Sequence, residues 1–248
     1  MAKGIIDELL GGIFDDSWTG KYGEFLLKSE LDMGCLTGKK GRILRNVYVP
    51  KDDGSTSEID VLFITQKGLI VFESKNYSGW IFGREADSYW TASLPNKEKH
   101  RFYNPILQNK SHIKWLVKST GDVPTFSVIV FSERCELKKI ETTSKNIWVI
   151  QRESTNHVVR QIWKENEDCL SEEQIDELYE KLKDFTKVSN EVKEEHIQAI
   201  QEKQKENPIC PQCGGKLVLR TARQGPNAGN QFYGCSNYPK CRYIKNKE

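Results

Sequence analysis

Apolar and polar residues alternate in several short runs along the first two thirds of the chain. The stretch "GRILRNVYVPK" alternates in this way, and "EIDVLFITQKGLIVFESKNYSG", residues 58–79, places the apolar runs "VLFI" and "LIVF" on either side of "TQKG". This second pattern predicts two antiparallel strands joined by a tight turn. The run "TFSVIVFS" is almost continuously apolar and β-branched, which is typical of a strand covered on both faces.

Other segments have apolar residues at helical spacing. They are "SWTGKYGEFLLKSELDMG" at residues 17–34, the segment that begins at Pro105, and two later stretches at 155–166 and 171–185. Pro105 suits the first turn of a helix, and the last stretch opens with Ser171 and Gln174 in the spacing of a capping box. Short strands are predicted in "GWIFGREADSYWTASL" and "NIWVIQ". This order of elements predicts an α/β fold with a mixed central sheet flanked by helices.

Composition divides the chain further. We expect an N-terminal segment at 1–17, an α/β domain at 18–151, a helical extension at 152–186, a charged linker at 187–207 and a small module at 208–246. The chain contains no run of about 18 apolar residues, so no membrane span is predicted. Acidic residues near the start occupy the place where a secretory signal has its apolar run, and we expect a cytoplasmic protein.

Basic residues concentrate in the last part of the chain. Residues 206–248 contain seven Lys and Arg against two Glu, a balance of +5 in a chain whose net charge is +2. A basic tail on a mildly acidic body is typical of an appendage that binds a polyanion. A solvated basic terminus has the same composition, so charge alone leaves both interpretations open.

Four of the seven cysteines lie in this tail, as "CPQC" and, 21 residues later, "CSNYPKC". An odd number of cysteines in a chain without a secretory signal disfavours a disulfide framework and favours metal binding. Two close pairs of thiolates suit tetrahedral zinc with no open position. The pattern therefore predicts one structural zinc ion, held by Cys210, Cys213, Cys235 and Cys241.

Charged residues stand at the far ends of the predicted hairpin. If its turn has two residues, Asp60 lies directly across from Glu73, whereas a three-residue loop with a bulge would shift this pairing. Two neighbouring carboxylates repel each other and need a cation, and Mg²⁺ prefers oxygen ligands. With Lys75 on the same face as Glu73, the arrangement favours a phosphodiester hydrolase. The alternative interpretation is a hairpin end on the protein surface, where the same charged residues form ion pairs exposed to solvent.

The stretches "GKYGE", "EIDVLFITQKGLIVFESKNYSG" and "NPILQN" together resemble the NERD (nuclease-related) domain, a family of the PD-(D/E)xK nuclease superfamily. The resemblance covers roughly residues 18–131, in the family's order and spacing. It implies a restriction-endonuclease-like fold and Mg²⁺- or Mn²⁺-dependent cleavage of phosphodiester bonds. The site residues that it implies are Glu24, Asp60, Glu73, Lys75 and Gln108, with the carbonyl of Ser74 as a further ligand of the metal.

One position departs from the family pattern. The family usually has a small aliphatic residue between the glutamate and the lysine, whereas this chain has Ser74. Because side chains alternate along a strand, we expect the Ser74 side chain to point away from the site. Glu58, two residues before Asp60, is an additional acid that we expect close to the metal ligands.

The segment "CPQCGGKLVLRTARQGPNAGNQFYGCSNYPKCRYIK" resembles the C-terminal four-cysteine zinc finger of bacterial type IA topoisomerases, which implies a zinc-ribbon-like module that binds single-stranded DNA. Aromatic rings stack on bases, and cations meet phosphates. The candidate nucleic-acid-binding residues are Arg220, Arg223, Tyr233, Tyr238, Lys240, Arg242 and Tyr243. Because so small a module needs some rings for its core, we expect Phe232 to be buried and Tyr238 to be exposed.

The sequence thus predicts a DNA-acting protein in which a nuclease-like domain is tethered to a zinc finger. A non-catalytic binding protein with the same fold is the alternative, and RNA stays open as a partner because aromatic-rich zinc fingers also bind RNA. The four histidines have no ligand spacing, so we expect each to be on the surface or partly packed: His100, His112, His157 and His196.

Overall fold

The structure, a computed structural model, describes residues 41–96, 98–189, 191, 193–194, 198, 208, 210–224 and 228–246. The segment predicted at 1–17, the helix predicted at 17–34 with Glu24, and most of the linker predicted at 187–207 lie outside the described residues. So does His196.

The described residues form strands and helices in an α/β order. The strands are β1 (Gly41–Pro50), β2 (Thr56–Thr65), β3 (Gly68–Lys75), β4 (Gly79–Arg84), β5 (Tyr89–Ser93), β6 (Lys99–Tyr103), β7 (Thr125–Phe131), β8 (Cys135–Glu141), β9 (Ile147–Gln151), β10 (Leu217–Thr221), β11 (Gln231–Cys235) and β12 (Ile244–Asn246). The helices are α1 (Pro105–Thr120), α2 (Thr155–Glu165) and α3 (Glu172–Lys183).

The central sheet has the order β1-β2-β3-β7-β9. The first two pairs are antiparallel, and β7 joins β3 and β9 by parallel pairing. Strands β3 and β7 are buried along almost their whole length, as expected for a sheet covered by helices on both faces. The mixed central sheet predicted from the sequence is therefore confirmed.

The two faces of this sheet pack against different helices. On one face, Phe63 and Phe72 contact Val158 and Ile162 of α2. On the opposite face, apolar residues of β1, β2 and β3 pack with residues of α1 and α3. Helix α1 therefore lies over the face that carries Leu69 and Val71, and further along the same strand this face continues into charged residues.

Asn104 fixes the start of α1. Its side-chain oxygen accepts a hydrogen bond from the backbone N–H of Ile106 at 2.9 Å. Its amide nitrogen donates to the carbonyl oxygens of Asp87 at 2.6 Å and Glu85 at 3.1 Å. An N-cap side chain satisfies backbone donors that the helix itself leaves unpaired, and this one also ties the helix to the β4–β5 turn.

A second sheet, of four strands, has the order β6-β5-β4-β8. Its inner face buries Trp90, Phe102 and Ile81 in a core shared with Phe131 of the central sheet. The pair β4–β5 was predicted from the sequence, whereas β6 and β8 were not. Both are edge strands with one polar face, so their apolar pattern is weak.

The C-terminal module is a three-stranded antiparallel sheet in the order β10-β11-β12. Its core consists of the cysteines together with Leu217, and the rings of Tyr233 and Tyr243 pack against it. So few apolar residues form a small core, which is typical of a module held together by a metal.

Candidate active site and nucleic-acid interface

The β2–β3 hairpin has the two-residue turn on which the predicted pairing depends. Thr65 pairs with Gly68, so that Gln66 and Lys67 form the turn. Gly68 has a φ of +118°, and a Cβ there would lie 2.1 Å from the carbonyl oxygen of Pro124, so a side chain has no space. This register excludes the bulged alternative within the hairpin.

The same register brings the predicted carboxylates to one end of the hairpin. The ladder runs from Thr65 to Val61, which pairs with Phe72, so Asp60 and Glu73 are the next residues on their two strands. The Asp60 carboxylate accepts a hydrogen bond from the backbone N–H of Ser74 at 2.7 Å. Asp60 is half-buried there and is thus attached to the strand that carries Glu73.

Glu73 and Lys75 form a buried ion pair on the face covered by α1. Glu73 is 1% exposed and Lys75 is 5% exposed. The Lys75 ammonium donates to Glu73 Oε1 at 2.7 Å and to Gln108 Oε1 on α1 at 3.0 Å. Gln108, 33 positions after Lys75 in the chain, is therefore in direct contact with the charged end of the hairpin.

His112 joins this group, although the sequence analysis gave it no role. Its Nε2 atom lies 3.3 Å from Glu73 Oε2, and its Nδ1 atom forms a hydrogen bond of 2.7 Å with the Ser57 hydroxyl. A proton on Nε2 faces the carboxylate when Nδ1 accepts from Ser57. His112 follows Gln108 by four residues on α1, which places both on one helix face. That spacing was the signal available in the sequence.

The electrostatics of the site favour a charged Glu73. Burial alone would raise the pKa of this carboxyl group, but the charge of Lys75 and the contact with His112 outweigh it and lower the pKa to about 2. Glu58 behaves in the opposite way: burial and the nearby Glu73 charge raise its pKa, despite the 2.8 Å hydrogen bond that Tyr48 donates to it. The site therefore holds one firmly ionised carboxylate beside one that protonates more easily.

The residues at the hairpin end offer the type of ligand atom that a hard divalent cation prefers. The donor set comprises the carboxylates of Asp60 and Glu73 and the carbonyl of Ser74, all oxygen atoms. Glu73 Oε2 is buried, and its 3.3 Å contact with His112 Nε2 lacks the alignment of a hydrogen bond. An ionised, buried oxygen without a hydrogen bond is the acceptor that a cation would satisfy. Glu24, the further predicted acid, lies outside the described residues.

The four cysteines of the tail converge on one point. Their Sγ atoms all lie within 4.8 Å of one another, with 3.2 Å between Cys213 and Cys235 and 3.6 Å between Cys210 and Cys241. Asn237 donates from its backbone and side chain to two of these sulfurs at 3.4 Å. Four converging sulfurs with N–H donors around them fit a structural tetrahedral Zn²⁺.

One face of the zinc module presents a cation and rings to solvent. Arg220 pairs with Phe232 across β10 and β11, and its guanidinium lies 5.8 Å from the centroid of the Tyr238 ring. Gly234 makes room for this arrangement, because a Cβ there would lie 3.1 Å from Arg220 Cδ. Tyr238 is 60% exposed, as expected, whereas Phe232 is half-buried rather than buried.

The other predicted nucleic-acid-binding residues fall into two groups. Arg223, Lys240 and Arg242 are exposed and free of described ion pairs. Tyr233 and Tyr243 are half-buried, and their rings pack against the cysteine core. The structure therefore favours Tyr238 over these two tyrosines for stacking on a base.

The zinc module contacts the second sheet directly. The backbone N–H of Arg101 on β6 donates to the carbonyl of Pro211 at 3.2 Å, and the Arg101 guanidinium donates to the carbonyl of Cys213 at 3.3 Å. Gly214 lies against the ring of Tyr89, where a Cβ would be 3.0 Å from ring carbons. The turn between Cys210 and Gly214, called the first cysteine knuckle below, is therefore docked on the α/β body of the protein.

Comparison with known families matches both parts of the chain. The family described as "Nuclease-related domain" matches residues 19–132, and the family described as "Topoisomerase DNA binding C4 zinc finger" matches residues 207–248. An uncharacterised protein of Bacillus anthracis is 31% identical over 189 residues, which are 75% of this chain and 85% of that protein. The chain belongs to the nuclease-related domain family and carries a topoisomerase-type zinc finger. Both sequence-based identifications are thus confirmed.

Other relatives match over a short part of the chain. A DNA topoisomerase 1 of Mycoplasmoides gallisepticum is 40% identical over 65 residues, 26% of this chain and 8% of that protein. A DNA topoisomerase 1 of Methanocaldococcus jannaschii is 52% identical over 44 residues, 18% of this chain and 5% of that protein. The chain thus corresponds to a small fraction of these topoisomerases. No solved structure matches the chain significantly.

These matches define a DNA-binding, nuclease-like protein. Among the described residues, no helix is both long and apolar enough to span a membrane.

Proposed function

We propose that this protein is a metal-dependent nuclease that hydrolyses phosphodiester bonds in DNA, with Asp60, Glu73 and Lys75 at its active site. The observation that carries the proposal is the environment of Glu73, a buried carboxylate between Lys75 and His112 with one oxygen left without a hydrogen bond. Burying charged groups costs free energy that a packed apolar residue would not. A fold that keeps such a group at the open end of a hairpin supports a chemical role.

Asp60, Glu73 and the Ser74 carbonyl would hold Mg²⁺ or Mn²⁺, which lowers the pKa of a bound water and stabilises negative charge on a phosphate. Glu24 stays a predicted member of the site. Asp60 is held by the Ser74 N–H, so its carboxylate and the Ser74 backbone are fixed relative to each other. This attachment favours a preorganised set of oxygen ligands.

Lys75 supplies the fixed positive charge of the proposed site. Its ammonium is bound to Glu73 and to Gln108 at the same time, which holds a flexible side chain in one position. A preorganised cation stabilises the charge that develops on the phosphate, or orients the attacking water. Gln108 and His112 position Lys75 and Glu73 from α1, so the helix and the hairpin form the site together.

The zinc finger would deliver DNA to this site. Arg220 and Tyr238 on its exposed face provide a cation and a ring for a phosphate and a base, and Arg223, Lys240 and Arg242 add positive charge. Because exposed base faces occur in unpaired strands, we propose a preference for single-stranded or distorted DNA. The cytoplasmic location predicted from the sequence stays a prediction.

Cleavage of labelled DNA tests the proposal. Purified full-length protein would be incubated with single-stranded DNA, duplex DNA or RNA, each with Mg²⁺, with Mn²⁺, or without added divalent metal. We expect metal-dependent cleavage of single-stranded DNA. Absence of cleavage of every substrate with either metal would contradict the proposal, and faster cleavage of RNA would reassign the substrate.

A non-catalytic DNA- or RNA-binding protein is the second candidate, and one observation favours it. Lys75 already neutralises Glu73 through a 2.7 Å contact, so a divalent cation would share this carboxylate with an ammonium group. In a non-catalytic binding protein, the ion pair between Glu73 and Lys75 would have only a structural role. Calorimetric titration with Mn²⁺ separates the two, because only the nuclease proposal expects binding that Asp60→Ala abolishes.

A further inference from the structure

The outward face of the four-stranded sheet exposes large aromatic side chains. Trp80 is 51% exposed and Tyr103 is 49% exposed, and Phe82 is exposed as well. Their neighbours along the strands, Ile81 and Phe102, are buried in the core, so the three rings share the outer face. Exposed apolar groups that cluster on one face mark an interaction surface more often than scattered ones do.

Strand pairing shows how this face is arranged. Trp80 pairs with Ser93 on one side and with Glu136 on the other, and Phe82 pairs with Thr91 and Lys139. On the β5 side, the rings of β4 thus have small polar neighbours, whereas Tyr103 of β6 lies opposite Tyr89. Trp80 and Phe82 therefore make no contact with another ring among the described residues and stay exposed, whereas the Tyr103 ring packs edge-on against Tyr89 with 5.9 Å between ring centroids.

The two lysines of β8 on this face are paired with carboxylates. The Lys138 ammonium lies 5.2 Å from the centroid of the Trp80 ring and forms an ion pair with Glu136. Lys139 forms an ion pair with Glu141 at 3.3 Å. Next to Trp80 the face therefore offers a ring and compensated cations rather than a strongly positive field. A ligand that binds mainly through its own flat apolar faces suits this chemistry better than one that binds through phosphates alone.

The zinc finger meets this same face. Arg101, which pairs with Thr91 on the outer side of β5 and β6, donates to the Cys213 carbonyl, and Tyr89 lies against Gly214. The docked knuckle covers part of the sheet and leaves Trp80 and Tyr103 exposed. The aromatic face is thus directly continuous with a DNA-binding module.

We propose that Trp80, Phe82 and Tyr103 form a stacking platform for single-stranded DNA, which extends the binding surface of the zinc finger onto the body. Every base has a π-face, so stacking on rings binds unpaired strands without reading their sequence. Duplex DNA keeps its bases stacked internally and does not present them to such a face. The platform lies outside the proposed hydrolytic site, so it does not depend on cleavage.

Fluorescence anisotropy tests the platform by measuring the affinity for a labelled single-stranded oligonucleotide. The oligonucleotide has about 30 nucleotides, which is longer than the typical site of one small binding fold. The full chain would carry Asp60→Asn throughout, so that cleavage does not remove the probe. On this background, Trp80→Ala/Phe82→Ala is compared with Trp80→Tyr/Phe82→Tyr, which retains the rings. We expect the alanine variant to bind about tenfold more weakly and the tyrosine variant to bind within about twofold of the parent.

Salt titration and thermal melting complete the test. Because the platform contributes stacking, the dependence of affinity on salt should have the same slope in all three proteins. Equal affinity of the alanine variant and its parent would overturn the proposal and assign the face to a protein partner or a second copy of the chain. A reduced salt slope in the alanine variant would also overturn it, since the face would then bind phosphates. So would equal weakening of both variants with lowered melting temperatures, which would indicate a structural role.

Discussion

The Nε2 atom of His112 lies 3.3 Å from Oε2 of Glu73, and both side chains are largely shielded from solvent. This contact connects α1 to the strand that carries the proposed metal ligand and catalytic lysine. Together with the Lys75–Gln108 hydrogen bond, it gives the helix two contacts with the charged end of the hairpin. The position of α1 therefore determines the geometry of the proposed active site.

We predict that His112→Ala lowers metal-dependent DNA cleavage by about 10- to 100-fold, because residues that orient a metal ligand contribute at this level. Glu73 would keep its ion pair with Lys75 but lose its contact with His112, so its carboxylate would be held less firmly in position. Cleavage rates at a series of Mn²⁺ concentrations measure the effect. His157→Ala is the matched control, since His157 is exposed on α2. Unchanged cleavage by the His112 variant would show that the contact is dispensable.

We predict that Lys75→Met destabilises the protein by about 3–5 kcal/mol, because it leaves Glu73 as a buried charge without its partner. The double change Glu73→Gln/Lys75→Met should recover most of this loss, since both charges are then removed. Denaturant unfolding of the three proteins measures the difference. Lys164→Met, at an exposed lysine of α2, controls for the loss of one surface charge. A fully stable single variant would contradict the burial and pairing of these residues.

We predict that the stability of the wild-type protein falls steeply in acid because of Glu73. Its pKa is lowered from 4.5 to about 2 in the fold, so the stability that it contributes is present above pH 4.5. That contribution is lost as the pH falls toward 2 and the carboxylate protonates. Urea unfolding between pH 6 and pH 3 should thus show a steeper decline in the wild type than in Glu73→Gln/Lys75→Met. Parallel curves would show that Glu73 does not carry this dependence.

We predict that the purified protein holds about one Zn²⁺ per chain and that Cys210→Ser abolishes this binding, because four thiolates are needed to close the tetrahedral site. The variant should also bind single-stranded DNA more weakly while the α/β body stays folded, since the core of the module depends on its metal. Elemental analysis and circular dichroism make these measurements. Cys169→Ser is the control, because Cys169 is exposed and lies outside the cluster. Zinc retained in full by Cys210→Ser would refute the assignment.

The hairpin and its charged ends could be predicted from sequence because their signals are local. Apolar alternation defines β2 and β3, and Gly68 fits the two-residue turn, so the register of Asp60 and Glu73 follows from strand geometry alone. The capping box of Ser171 and Gln174 is present for the same reason. The identity of the four-cysteine module also rested on spacing within short segments.

The features that sequence reasoning missed depend on packing between distant segments. His112 becomes a neighbour of Glu73 only when α1 docks on the hairpin, although its spacing from Gln108 placed both on one helix face. The contact of Arg101 with Pro211 and Cys213 joins residues more than a hundred positions apart, and no periodic pattern encodes it. Strands β6 and β8 lie at sheet edges with polar outer faces, so their apolar alternation is too weak to identify them.

The most direct test of the proposed hydrolytic site is the single-turnover rate of cleavage of single-stranded DNA with Mn²⁺, compared between the wild type and Asp60→Asn. Asp122→Asn is the matched control, because it makes the same chemical change at an exposed carboxylate after α1. We predict metal-dependent cleavage by the wild type and by the control, and a rate lower by about 100-fold or more in Asp60→Asn, since a ligand of the metal is lost. Equal rates in all three proteins, or no cleavage by the wild type, would contradict the proposal that Asp60 and Glu73 hold a catalytic metal.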